Sequence, residues 1–195
     1  MPGLVRAFFA VLLPESVVEG AGAVAEVLKE RFPQGSVKWV PKANYHLTLR
    51  FFGDLDAAAI ARASSILADL EPGFRPIPVR LGQVSAFPAA ARPQTLWIHV
   101  EDEGDALARL AAAVDQRCRE QGFGPADKPW KSHLTLGRAG RDVRLRPDPS
   151  WSRVDGGETC RGSVRAVALM RSELRPQGAR YSILRQMVAP AREEA

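Results

Sequence analysis

Cysteine, histidine and lysine are all scarce in this chain of 195 residues. The two cysteines, Cys118 and Cys160, stand far apart with no ligand-like spacing around them. That excludes a disulfide scaffold, a Cys-rich zinc module and a Cys-x-x-Cys redox motif, and points to reduced thiols in a cytoplasmic setting. Long hydrophobic runs are missing too. Ala7–Leu13 is apolar for only seven residues, far short of the roughly 20 that a membrane helix needs. Arg6 before it and Ala21-Gly22-Ala23 after it imitate a secretory leader, but Pro14, Glu15 and Glu19 interrupt it. A buried first strand is the better expectation. No P-loop and no nucleotidyl-transfer lysine motif occurs, so ATP-driven ligation is unsupported. No low-complexity linker divides the chain. The expectation is one domain over 1–195, built of two similar lobes, with a flexible tail at Ala189–Ala195.

What is abundant is arginine. The net charge is +5, and 22 of the 27 basic residues are Arg. Nine Arg stand against five acidic residues between Arg138 and Arg175. The planar guanidinium grips phosphate oxygens in two places, so a polyanionic partner fits this composition. A solvated Arg-rich surface fits it equally. Hydrophobic residues make up 46% of the chain, enough for a core without staples.

Apolar patterning predicts strands over Arg6–Leu13, Ser36–Val40, Tyr45–Phe52, Ile77–Ala86, Thr95–Val100, Lys131–Leu136, Val164–Met170 and Tyr181–Val188. Phe87–Gln94 reads as a Pro/Ala loop, and Pro176-Gln177-Gly178 as the closing turn. Helical spacing links Val17, Ala21, Val24, Leu28 and Phe32, and recurs over Ala57–Leu70 and Asp105–Gln121. Gly137–Gly162 carries no assignable pattern. Helices alternate with groups of strands, which favours an α+β fold with antiparallel sheets over a doubly wound parallel sheet.

The strongest feature is a repeated tetrapeptide. His46-Leu47-Thr48-Leu49 returns as His133-Leu134-Thr135-Leu136, using two of the three histidines, and a glycine follows seven residues after each His, Gly53 and Gly140. Alternation on a strand puts His and Thr on one face and the two leucines on the other. Two such strands facing each other present two imidazoles and two hydroxyls to a common cleft. A phosphodiester reaction needs that set: one neutral imidazole to take a proton from water, one protonated imidazole to give a proton to the leaving oxygen, and donors for the non-bridging oxygens. Neither copy has Asp, Glu or Cys at ligand spacing, so no metal and no cofactor is expected. His99 has no Thr partner and no repeat, and reads as structural.

On these residues the chain resembles the two-histidine phosphoesterases, and closely the RNA 2′,3′-cyclic phosphodiesterases once called 2′-5′ RNA ligases. The resemblance also covers Arg6-Ala7-Phe8-Phe9-Ala10, Trp39-Val40-Pro41, Ala86-Phe87-Pro88, Leu96-Trp97, Gly137-Arg138, Ser172-Glu173-Leu174 and Gly178-Ala179-Arg180-Tyr181. It implies a bilobal, pseudo-twofold α+β fold: antiparallel sheets flanked by helices, with the motifs facing across a central cleft. It implies hydrolysis of a terminal RNA 2′,3′-cyclic phosphate to a 2′-phosphate, with His46 as proton donor, His133 as proton acceptor, and Thr48 and Thr135 beside them. Where this chain has Ser132, the family often has proline. The same site run in reverse would join RNA through a 2′-5′ linkage. A non-catalytic RNA-binding module would keep the basic surface and treat both histidines as structural.

Arg50, which shares the face of His46, is expected to contact the phosphate or to be a buried structural arginine, and a further contact with RNA is expected from Arg138. A regular strand points Arg138 away unless the chain bulges near Gly137. Lys131, on the face of His133, would lower the pKa of that imidazole. Phe9, Trp97 and Tyr181 are candidates to stack on a terminal base or to fill the core. The basic stretch Arg138–Arg146 follows an RNA backbone or solvates a loop. No membrane and no protein partner is implied, and a monomer is expected.

Overall fold

The computed structural model describes residues 3–140, 143–145, 149–157, 160–176 and 178–190. Nine strands and three helices succeed one another in these residues: β1 Val5–Leu12, α1 Glu15–Lys29, β2 Val37–Trp39, β3 Leu47–Leu55, α2 Ala57–Leu70, β4 Ile77–Ala89, β5 Arg92–Asp102, α3 Ala106–Glu120, β6 His133–Ala139, β7 Arg161–Val164, β8 Ala166–Arg175 and β9 Gly178–Val188. They form two sheets, in the orders β3-β1-β8-β9 and β2-β6-β5-β4-β7. Every pairing is antiparallel, so the fold is α+β as the alternation of elements implied.

The two lobes are not the two halves of the sequence. β2, from the first half, closes the edge of the second sheet against β6, while β8 and β9, from the end of the chain, extend the first sheet beyond β1. α1 packs on β4 and β7, whereas α2 and α3 cover the first sheet. Burial explains the helices: Val17, Ala21, Val24 and Leu28 line one side of α1, and Leu107, Ala111, Val114 and Cys118 one side of α3. Asp56 caps α2 by accepting from the Ala59 amide at 2.7 Å. α3 ends at Gly122, whose φ of +80° suits glycine. The Gly122 amide bonds Arg119 O and the Phe123 amide bonds Cys118 O, the paired bonds of a Schellman turn.

Several expectations change on this frame. The Pro/Ala segment 87–94 is not a loop. It is the tight end of the β4–β5 hairpin, with Phe87 opposite Thr95. The unassigned region holds β7 and the buried Trp151, which meets Phe32 edge-on. The closing strands run longer than the apolar pattern, through Arg175 and from Gly178. Gln177, positions 141, 142 and 146 of the Arg138–Arg146 stretch, and the end of the expected tail, 191–195, lie outside the described residues. Ala189 is buried, and its amide donates to Arg165 O at 2.8 Å.

Candidate active site

Both motif histidines sit where a strand begins, His46 just before β3 and His133 as the first residue of β6. Each ring is held by the carbonyl two residues earlier: His46 Nδ1 donates to Asn44 O at 2.8 Å, and His133 Nδ1 to Lys131 O at 2.8 Å. That bond selects the tautomer and leaves both Nε2 atoms for chemistry. His46 Nε2 lies 3.1 Å from Thr48 Oγ1. Both histidines and both threonines line one cleft of about 420 Å³, so the repeat meets across the lobes.

The cleft is walled by aromatic rings. Phe8 and Tyr181 lie 4.9 and 5.2 Å from His46, centroid to centroid. Phe87 stands edge-on to His133 at 5.2 Å. Burial among these rings is the main reason that both imidazoles are held below the ordinary histidine pKa. The backbone carbonyls oppose that shift. For His133 the charges of Arg138 and Lys131 add to it, the direction expected for Lys131; for His46, His133 and Arg138 add to it. The neutral form is therefore favoured at both positions until an anion enters.

A second repeat governs the residues after each motif. Phe9 pairs with Arg50 but Ala10 with Thr48, leaving Leu49 as an extra residue; Leu96 pairs with Gly137 but Trp97 with Thr135, leaving Leu136 extra. A bulge thus falls on the second leucine of each copy and reverses the alternation beyond it. Arg138 turns into the cleft, the exception on which its role depended. Its guanidinium bonds Thr95 Oγ1 at 3.0 Å. The matching residue of the first copy, Phe51, turns in as well and is 46% exposed, with Arg6 over its ring at 4.5 Å.

The same bulge removes Arg50 from the phosphate side. Arg50 is buried, pairs with Asp115 Oδ1 at 2.5 Å, and donates to the carbonyls of Phe123, Gly124 and Pro125. The Schellman turn at Gly122 leads into those carbonyls, so Arg50 clamps β3 to α3. Trp130 Nε1 adds a bond to Thr48 O at 2.9 Å. Phe9 is fully buried and meets Phe52 edge-on; it belongs to the core, and its neighbour Phe8 faces the cleft instead. Trp97 is 4% exposed and stacked on Phe87 at 5.1 Å, so it supports the wall behind His133 and lines no open surface of the cleft. Lys131 lies outside the cleft with its Nζ 4.6 Å from the Trp97 ring. Tyr181 lines the cleft. His99 is opposite His133 on the same sheet and 3.7 Å from Glu101. Phe8, Phe51 and Asn44 were not singled out from sequence. The alternation of Phe8 with Phe9 and the matched fifth position after each His were the available signals. Among the described residues no group of three His, Cys, Asp or Glu is placed to hold a metal ion.

Known proteins share this architecture. The family model for LigT like phosphoesterases matches residues 11–97, which includes the first motif. An Archaeoglobus fulgidus protein named RNA 2′,3′-cyclic phosphodiesterase is 35% identical over 182 residues, covering 92% of this chain and 98% of its own. The chain belongs to the LigT-like phosphoesterase family. A Thermus thermophilus relative with the same name is 35% identical over 188 residues, covering 92% of this chain and 87% of its own. Among solved structures, TT0787 of Thermus thermophilus superimposes with a TM-score of 0.77 at 29% identity, covering 96% of this chain and 99% of that one. E. coli LigT complexed with 3′-AMP gives 0.74 at 22% identity, covering 96% and 99%, and supports the fold alone. Within this LigT-like fold the two motif strands come from different sheets and face one cleft.

Proposed function

We propose that this LigT-like protein hydrolyses a 2′,3′-cyclic phosphate at an RNA end to a 2′-phosphomonoester, by acid–base catalysis between His46 and His133. The observation that carries the reading is the pair of carbonyl-anchored imidazoles lining one cleft with two threonine hydroxyls. The names of the Archaeoglobus and Thermus relatives agree with it.

In this reading, neutral His133 takes a proton from water through Nε2 as the water oxygen bonds to phosphorus. The phosphorus–O3′ bond breaks on the opposite side, and protonated His46 delivers its Nε2 proton to O3′. Two features support that division. Lys131 favours the neutral form of His133 and is not among the charges acting on His46. The Thr48 hydroxyl, 3.1 Å from His46 Nε2, donates to the neutral ring before the phosphate arrives and is free to turn to a phosphate oxygen once that ring is protonated. The Thr48 and Thr135 hydroxyls and the Arg138 guanidinium then donate to the non-bridging oxygens as charge builds up. The phosphate's own charge raises the His46 pKa and supplies the acid form. Phe8, Phe51 and Tyr181 flank the bound nucleoside.

We read the chain as one two-lobed unit that acts as a monomer on RNA ends. The free thiols Cys118 and Cys160 fit a reducing cytoplasm. No helix among the described residues is long and apolar enough to cross a membrane. The test is turnover of a short RNA ending in a 2′,3′-cyclic phosphate, in EDTA, by wild type, His46→Ala and His133→Ala. Turnover by wild type alone, giving a 2′-phosphate, is the expected result. Undiminished turnover by either variant overturns the mechanism.

A further inference from the structure

The active-site cleft has differently charged surroundings on its two sides. On the side of β2 and the β8–β9 hairpin it continues into a groove of about 530 Å³ that shares Val40, Asn44, Arg138, Ala179 and Tyr181 with it. The cations of this groove are Lys38, Arg138, Arg175 and Arg180, and among the described residues no carboxylate lines it. Lys38 is the cross-strand partner of Arg138, so the two stand side by side on one sheet face. The carboxylate of Glu173, on the same hairpin, pairs with both Arg171 and Arg175, each at 3.1 Å, so the hairpin keeps an excess of positive charge. Half-buried Trp39 forms part of one wall, and the bond from Asn44 Nδ2 to Ala179 O at 2.8 Å joins the walls at the floor. Beyond His133 lies a separate pocket that shares no lining residue with the cleft; Glu101, Asp102 and Asp105 line it, with His99 and Lys131.

We infer that RNA continuing 5′ from the terminal nucleotide leaves through the basic groove between β2 and the β8–β9 hairpin. The inference rests on the reading of the cleft as a cyclic-phosphate site and adds the direction of the strand and a preference for oligomers over single nucleotides. A single strand carries a negative charge at every step. It is favoured where cations and an aromatic face line a continuous channel, and disfavoured where three carboxylates gather. The first upstream phosphates lie against Lys38 and Arg180, outside the reacting centre.

The test compares two substrates, a 2′,3′-cyclic mononucleotide and a short oligoribonucleotide with the same cyclic end, for wild type and the Lys38→Gln/Arg180→Gln double variant. The double variant is expected to lose about tenfold in kcat/KM on the oligomer and to match wild type on the mononucleotide. Its log–log salt dependence on the oligomer should be shallower by about 1.4, at roughly 0.7 for each phosphate contact removed from a single strand. An Arg80→Gln/Arg161→Gln variant, on the far side of the second sheet, is expected to match wild type on both substrates. Unchanged oligomer kinetics in the first variant, equal losses on both substrates, or an oligomer-specific loss in the second variant overturns the path. Failure of wild type to hydrolyse either substrate would instead overturn the functional reading, and the path with it.

Discussion

The two copies of the motif agree for four residues and part at the next two: Arg50-Phe51 in the first copy, Gly137-Arg138 in the second. Their backbones do the same thing, since each bulges on the second leucine. The fourth residue after each His therefore faces inward, and the fifth faces the cleft. The surroundings differ. β3 is an edge strand next to α3, so the buried position can hold an arginine answered by Asp115 and three carbonyls. β6 lies inside its sheet beside β2, and a Cβ on Gly137 would stand 2.6 Å from Val37 Cγ1. The charge that the first copy buries, the second copy turns to the cleft. One backbone device has produced a clamp on one side and a cleft-facing cation on the other.

The largest effect should come from the histidines themselves. His46→Ala and His133→Ala are each expected to cost about 10²- to 10⁴-fold in kcat, and the double variant little more than either alone, because the two act as a unit. The copies should separate in pH profiles: His133→Ala loses the acid limb, His46→Ala the alkaline limb. Identical profiles for the two variants would break the division of roles.

The arginines sharpen the contrast at the fourth and fifth positions. Arg50→Met strands Asp115 and three carbonyls in the interior, and should destabilise the fold by about 3–5 kcal/mol, as loss of one member of a buried pair does. Arg119 also holds Asp115, at 2.6 Å, which places the loss toward the low end. Arg138→Met should leave thermal stability unchanged and lower kcat/KM by about 10- to 100-fold, since hydrogen bonds to charged groups contribute roughly 1.5–3 kcal/mol. Thermal melts and kinetics on the same two proteins decide it; the reverse pattern would sink the assignment of clamp and contact.

Smaller is the effect of Gly137→Ala, expected to cost about 1–3 kcal/mol by overpacking against Val37 and Trp39. Gly53, seven residues after the first motif histidine, has a φ of +76° and no close neighbour around its missing Cβ, so Gly53→Ala should destabilise through backbone strain alone. Crystal structures of the two variants would show a displaced β2 in the first and an undisturbed neighbourhood in the second.

The smallest effect is on stability against pH. Both histidines have folded-state values below their unfolded value of about 6.5. The unfolded chain therefore binds more protons over that window. Stability is full above about pH 6.5 and falls as pH drops from there toward the folded values. Replacing either histidine with alanine should flatten the melting temperature over this window. An unchanged slope in both variants would refute the burial that the aromatic walls impose.

Much of this site was legible because strand alternation is a local rule. A repeated His-x-Thr with leucines between has one economical arrangement, and His46, Thr48, His133 and Thr135 all reach the cleft. Arg50 was misplaced by the same rule, since a bulge leaves no mark in residue type. Phe9 and Phe8 are equivalent in composition; only the pairing of β1 with β3 and β8 decides which joins Leu169 in the core and which faces the cleft. The closed end of the β4–β5 hairpin was missed because Pro88, Pro93 and three alanines read as a loop, whereas prolines near a hairpin end need no ladder amide.

The sequence by itself determined the two imidazole–hydroxyl pairs, their leucine backing and the scarcity of ligands for a metal, because those follow from residue type and a period of two. Only the tertiary structure decided that β2 and the β8–β9 hairpin change partners between lobes, that Arg138 faces the cleft while Arg50 faces the core, and that the cleft continues into a basic groove. Those outcomes depend on register and on which distant segments meet, and the free energy that selects them is shared among contacts far apart in the chain.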